Sequence, residues 1–190
     1  MQSFLDTARD SCEVIPQYPA AGGQLDIPLG QTVVEGSKTI RVLHLITGQY
    51  FAGAERVQDL LALRLPEEGF HLAFACVKPG QFASSRKNLA PIYNVPMAFR
   101  GDLRAAMRIA RIAQAERYRL LHAHTVRTAM VGSIASLLTR LPMVYHVHSP
   151  TACNTTRPLL NRLAATVERW SLAGVAHLIT VSESLARHMQ

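Results

Sequence analysis

Cysteine is scarce. Three residues, Cys12, Cys76 and Cys153, are odd in number and far apart in a chain of 190. That excludes a disulfide framework and any Cys-x-x-Cys motif, and it reads as unpaired thiols in a reducing compartment. Long apolar runs are missing as well. The run nearest to a membrane span, 129–138, has ten residues and contains Gly132, Ser133 and Ser136, whereas a membrane-spanning helix needs about 20. Residues 1–10 carry acids and lack the apolar centre of a signal peptide. A soluble, cytoplasmic protein is expected. Neither Gly-x-Gly-x-x-Gly nor Gly-x-Ser-x-Gly occurs, so a dinucleotide fingerprint and a nucleophile elbow are both absent.

What is present is a globular composition, 48% hydrophobic and 17% charged. A chain of this length buries about 70% of its unfolded surface and needs no metal or disulfide to hold a core. The formal charge of +7 is unevenly placed. Residues 1–38 hold two bases and five acids; residues 39–190 hold the other 18 bases, nearly all Arg, and eight acids. A basic surface suits anionic lipid headgroups, phosphorylated small molecules or nucleic acid.

Residues 1–38 read as a loosely ordered extension, because Pro16, Pro19, Gly22, Gly23, Pro28 and Gly30 interrupt it too often for a helix. From Thr39 the pattern changes. Strand signals at 40–46, 71–77, 96–99, 120–124, 143–147 and 177–181 alternate with helical periods at 54–65, 81–89, 103–117, 127–141 and 158–172. Several strands are apolar on both parities, as in a parallel sheet covered on both sides. The expected fold of 39–190 is α/β: a doubly wound, Rossmann-like parallel sheet of about six strands with helices on both faces. Asp102 is placed to cap the helix that starts at Leu103.

In such a sheet, ligands bind beyond the carboxyl ends of the strands. The first turn there, 47–56, holds Gly48 and Gly53 before a helix whose N-terminal amides and dipole can receive a phosphate. The two glycines have P-loop spacing, but Ala54 and Glu55 replace the required Lys and Ser/Thr, which excludes a P-loop NTPase. A tight turn is the other reading of these glycines. Two His-x-His pairs, His122 with His124 and His146 with His148, end adjacent strand signals. Alternate residues share a face, and imidazole can donate, accept or shuttle a proton. Structural hydrogen bonding is the alternative role. Zinc also uses His-x-His, but no third ligand, Cys or acid, stands at useful spacing, so no metal is expected. Ser182 is placed to cap the last helix. Arg104, Arg108 and Arg111 form one helical stripe, either a solvated face or a contact with anionic lipid. No aromatic residues interleave with that stripe to stack on bases, so no nucleic acid is expected.

Five stretches in order carry a family resemblance: 41–44 with 52–57 (Ala-Gly-Ala-Glu-Arg-Val), 121–125 (Leu-His-Ala-His-Thr), 142–149 (Pro-Met-Val-Tyr-His-Val-His-Ser), Glu168-Arg169, and 179–185 (Ile-Thr-Val-Ser-Glu-Ser-Leu). Over residues 41–189 the chain resembles the N-terminal, acceptor-side domain of a family-4-like glycosyltransferase with the GT-B fold. The resemblance implies retaining transfer of a hexose-like sugar from a nucleotide-sugar to a glycan or lipid-linked acceptor, in cell-envelope or exopolysaccharide biosynthesis. The nucleotide-sugar would be substrate, with no cofactor. It implies Ala52, Gly53, Ala54 and Glu55 as the donor phosphate loop, His148 as the catalytic residue beside the transferred sugar, and Gly48, His124 and His146 on the acceptor side. Two positions depart from the pattern: Ala52 replaces the first of two adjacent glycines, and His177 replaces an aspartate before the last strand. The family's second domain, with its Glu-x7-Glu motif, is not within the 190 residues. The chain alone is therefore expected to transfer little without a C-terminal half, which a partner chain could carry. A non-catalytic module for acceptor binding or membrane-surface contact, at the inner face of the membrane, is the alternative.

Overall fold

Six parallel strands in the order β3-β2-β1-β4-β5-β6 form the sheet in a computed structural model that describes residues 39–99, 102–148, 166 and 174–189. The strands are β1 (Ile40–Ile46), β2 (Phe70–Cys76), β3 (Ile92–Asn94), β4 (Leu120–Ala123), β5 (Met143–Val147) and β6 (His177–Thr180). The described helices are α1 (Gly53–Arg64), α2 (Gln81–Ser85), α3 (Leu103–Ala115), α4 (Val126–Thr139) and α5 (Glu183–Met189). The predicted extension 1–38 and, apart from Thr166, the predicted helix 158–172 lie outside the described residues.

The two parities of the strands build two different layers. Leu43, Leu45, Ala73, Ala75, Leu121, Ala123, Met143 and Tyr145 point to one face, where Ala105, Ile109, Ala113, Ala129 and Val131 of α3 and α4 complete the larger core. Val42, Ile46, Leu72 and Phe74 point to the other, closed by Ala62 of α1 and by Phe82. This is why β1 is apolar at nearly every position, as a centrally placed parallel strand must be.

Two predicted elements moved. The third strand lies at Ile92–Asn94 rather than 96–99. Pro96 has no N–H to place in a ladder, and the pairing register runs Phe74↔Ile92 to Cys76↔Asn94. The predicted helix 81–89 stops at Ser85. Its continuation would need the amides of Lys87 and Asn88 within the helix. Asp59 of α1 takes them instead: Lys87 N–H donates to both carboxylate oxygens at 3.0 Å, and Asn88 donates its N–H at 2.9 Å and its side-chain amide at 2.6 Å. Asp102 caps α3 as expected, accepting the Arg104 N–H at 3.1 Å. Among the described residues, no helix is long and apolar enough to cross a membrane.

Candidate functional site

The sheet's halves diverge between β1 and β4, the neighbours from which the strand order runs outward in each direction. A doubly wound sheet opens a crevice at this place. Thr47, after β1, and Thr125, after β4, approach with hydroxyls 3.4 Å apart.

The loop after β1 divides into a braced part and an open part. Gly48 has φ +77, and a Cβ there would come within 3.0 Å of the Cys76 sulfur. Its carbonyl accepts the Phe82 N–H at 3.2 Å, while Lys78 and Gln81 donate to Thr47 and Gln49. The fold alone thus demands a glycine at 48. Cys76, below it, is free and buried, and burial pushes its thiol up to about 11. Gly53 contrasts with this: it is exposed, its φ is ordinary, and a Cβ would meet nothing within 4 Å. It opens α1. Ala52, at the cap position, offers only a methyl group, so no side chain there accepts the first-turn amides. Glu55, itself buried, folds back and accepts the Ala52 N–H at 3.3 Å. Half of a capping box is therefore present, and the helix dipole favours the carboxylate at this end.

Across the crevice stands a wall of five imidazoles. His122 and His124 end β4, and His146 and His148 end β5, all on the α1 face. The fifth, His44, stands in β1 directly opposite His122 in the register. It was not singled out from the sequence, where it is a lone histidine inside an apolar strand with no His-x-His partner. The readable signal was a polar side chain on the parity of Val42 and Ile46. Three rings join head to tail: His44 Nδ1 lies 2.9 Å from His124 Nε2, and His124 Nδ1 lies 3.3 Å from His148 Nε2. His146 stacks on His148 with centroids 4.2 Å apart, as does His122 on His124. Thr128 holds the end of β4, accepting the His124 N–H at 3.2 Å.

Burial disfavours the charged form of every ring, and the neighbouring imidazoles add repulsion around all but His146. His44 and His124 are driven well below the ordinary histidine value, His122 falls to about 3, His148 to about 4, and His146 is lowered by burial alone. All five are neutral near pH 7. A neutral imidazole keeps one N–H and one lone pair, so the three-ring chain has a donor and an acceptor at each joint. Among the described residues, three buried ring nitrogens have no hydrogen-bond partner: His44 Nε2, His122 Nε2 and His146 Nδ1. Two triplets, His44–His122–His124 and His124–His146–His148, hold nitrogens within 4.8 Å of one another. The third ligand that each His-x-His pair lacks in the sequence comes from the neighbouring strand.

The structure thus gathers His124, His146 and His148 into contact, and sets Ala52, Gly53, Ala54 and Glu55 at the start of α1 on the same carboxyl edge of the sheet. Ser182 caps α5, accepting the Leu185 N–H at 3.2 Å. Of the arginine stripe, Arg104 and Arg111 are exposed, whereas Arg108 donates to the Pro96 carbonyl at 2.9 Å and lies 3.9 Å from Asp102.

Known proteins resemble this chain in sequence and fold. Residues 52–190 match the glycosyl transferase 4-like domain family. The Escherichia coli enzyme UDP-Gal:alpha-D-GlcNAc-diphosphoundecaprenol alpha-1,3-galactosyltransferase is 24% identical over 123 residues, which are 62% of this chain and 32% of that one. Anabaena HepE, solved with UDP-glucose, superposes with a TM-score of 0.59 at 22% identity, covering 76% of this chain and 38% of its own. Acinetobacter baumannii MurG superposes with a TM-score of 0.54 at 15% identity, over 74% and 41% of the two chains. The protein therefore spans about a third of that curated relative and about two fifths of these structures. The family match covers most of the chain, so the protein belongs to the glycosyl transferase 4-like family and its Rossmann-like sheet is one half of a GT-B architecture.

Proposed function

We propose that this domain is the acceptor-side half of a retaining hexosyltransferase, which moves a sugar from a nucleotide-sugar to a glycan or lipid-linked acceptor in cell-envelope or exopolysaccharide biosynthesis. The observation that carries the reading is the pairing, at one edge of the sheet, of an uncapped helix start with a wall of neutral imidazoles. The amides of Gly53 and Ala54, with the positive end of the α1 dipole, suit the charge that gathers on a departing diphosphate. Glu55 holds the Ala52 amide and so fixes the backbone path of that turn. His148, partly exposed at the rim, is neutral and anchored through His124. It can hold a sugar hydroxyl without placing a positive charge beside the developing oxocarbenium.

Transfer needs a second domain facing these strand ends, so the 190 residues by themselves are expected to turn over little or nothing. The test is to join or mix them with a C-terminal Rossmann half and supply UDP-glucose or UDP-galactose. Turnover should appear only with both halves, and His148→Ala should lower kcat by about 100-fold, within the range for a positioned catalytic group. Full turnover by the 190 residues unaided would overturn the two-half reading.

A membrane-surface module is the second reading. It is favoured by Phe99, Leu103 and Met107, exposed at 67, 57 and 46%, near the exposed Arg104 and Arg111. Apolar side chains ringed by cations suit an anionic bilayer interface, here at the inner face of the cytoplasmic membrane. Sedimentation with phosphatidylglycerol vesicles, reduced by Leu103→Asp with Arg104→Glu, checks that contact. A module of this kind would bind vesicles but stay inactive with every C-terminal half.

A further inference from the structure

We propose that His124, His146 and His148 form a binding site for a zinc-class divalent transition-metal ion, with His44 behind His124 as the residue that orients it. The inference does not depend on the transferase reading, since it concerns binding by these rings alone.

The donor set chooses the class of ion. Three imidazoles, with no carboxylate or thiolate grouped with them among the described residues, suit Zn2+, Co2+, Ni2+ or Cu2+, whereas Mg2+ and Ca2+ call for oxygen ligands. Distances agree with a tetrahedral centre. Metal–nitrogen bonds of about 2.0–2.1 Å place two ligand nitrogens ~3.3 Å apart, and His124 Nδ1 and His148 Nε2 are 3.3 Å apart. The third ring, His146, is 9% exposed and its Nδ1 has no hydrogen-bond partner. A ring nitrogen held this way has lost its water and gained nothing in exchange; a cation would supply the missing partner. The rings are also held neutral by burial, so each presents a lone pair near pH 7 without first losing a proton.

His44 gives the site an outer layer. Histidines bound to a metal commonly use their second nitrogen in a hydrogen bond that sets the tautomer. His124 Nε2 has such a bond, 2.9 Å from His44 Nδ1, which leaves His124 Nδ1 facing His148.

The inner triplet, His44–His122–His124, has similar spacing but a different setting. Its rings are 0, 8 and 2% exposed, so a dication there would sit in the interior with no anion and no water to complete its shell. The outer triplet reaches the surface at His148, leaving a fourth position toward the crevice. Water could fill that position, or a hydroxyl or phosphate oxygen.

The experiment uses the full, untagged chain, stripped with chelator and titrated with Zn2+ by calorimetry and with Co2+ by visible absorption. One equivalent should bind, and Co2+ should develop the intense bands of a tetrahedral site. In the unaltered protein, Zn2+ should move the imidazole nitrogen resonances of His124, His146 and His148 and leave those of exposed His71 in place. His148→Ala should weaken binding at least tenfold, and His44→Gln by about 10–100-fold, the range for outer-shell partners. His71→Ala should change nothing. Absence of saturable binding overturns the proposal. So does binding that persists in the His146→Ala/His148→Ala double variant, and so does loss in His122→Asn with His148→Ala unaffected, which would place the ion in the inner triplet. Circular dichroism of each variant separates lost ligands from lost fold; if a variant unfolds, the resonance shifts of the unaltered chain still decide.

Discussion

The two faces of this sheet are made from the same strands and have opposite characters. Toward α3 and α4, β1, β4 and β5 present Leu43, Leu45, Leu121, Ala123, Met143 and Tyr145, all essentially sealed from solvent. The packing is so close that a Cβ on Gly132 of α4 would lie 2.7 Å from both the Leu45 side chain and the Met143 sulfur. Toward α1, the next residues of the same strands include five histidines, with three ring nitrogens unpartnered. Aliphatic burial is stabilising at about 25 cal/mol per Å2, whereas a buried polar atom without a partner costs about 1–3 kcal/mol. The first face is apolar throughout; the second is apolar around β2 but, where the histidines stand, gives up stability and keeps chemistry at the crevice.

Breaking the aliphatic face should have the largest effect. Leu45→Ala leaves a cavity under α4 and should cost about 2–5 kcal/mol, read as a lower urea midpoint with an unchanged slope. If the loss is under 1 kcal/mol, this face does not carry the stability assigned to it. Next comes Asp59, which ties α1 to the chain after α2. Asp59→Ala strands the amides of Lys87 and Asn88 and should cost about 2–3 kcal/mol. Burial pushes this carboxyl up, but the N–H groups of Asn88 and Lys87 and the Asn88 side chain together outweigh it and hold it below the usual value. A depressed folded-state value means the stabilisation is present above the unfolded carboxyl value, near 3.9, and is lost as pH falls through the folded one. Wild type and Asp59→Ala should therefore draw together in stability as pH falls below the usual carboxylate value, as followed by thermal melts on acidification.

A smaller effect, of opposite sign, tests the histidine face. His122→Leu replaces a ring whose buried Nε2 has no partner by an apolar group and should raise stability by about 1 kcal/mol. A destabilised variant would mean that the imidazole wall supports the fold after all. Smallest is Gly53→Ala. With open space and an ordinary backbone, it should be neutral or stabilising by up to about 1 kcal/mol in a melt. In the complemented transferase it should nonetheless raise KM for the nucleotide-sugar, because a methyl would stand where the diphosphate approaches. An unchanged KM would remove Gly53 from the donor loop.

Much of this was legible before folding. The limits of β1 and β5 follow from their largely apolar runs, interrupted by Arg41, His44 and His146, and the caps at Asp102 and Ser182 follow from the preference of short polar side chains for helix starts. The errors have local causes. Pro91 and Pro96 bracket a three-residue edge strand too short to show a period, and α2 was cut short by a carboxylate 28 residues earlier in the chain. Of the site, the two His-x-His pairs declared themselves by spacing. His44 did not, because its partners are far from it in sequence.

Local chemistry, then, is enough to set the alternation of strand and helix, the face shared by each histidine pair, the caps, and the exclusion of a P-loop. These depend on neighbours within a few residues, where the two-residue period of a strand and the 3.6-residue period of a helix apply. The tertiary structure decided the rest. Strand order places β1 beside β4, which brings His44 to His124 across 80 residues of sequence and turns two pairs of histidines into a continuous wall. Burial within the fold then strips those rings of water and holds them neutral. Both are collective effects of packing, since the partners of a parallel strand are chosen by how the whole chain winds across the sheet.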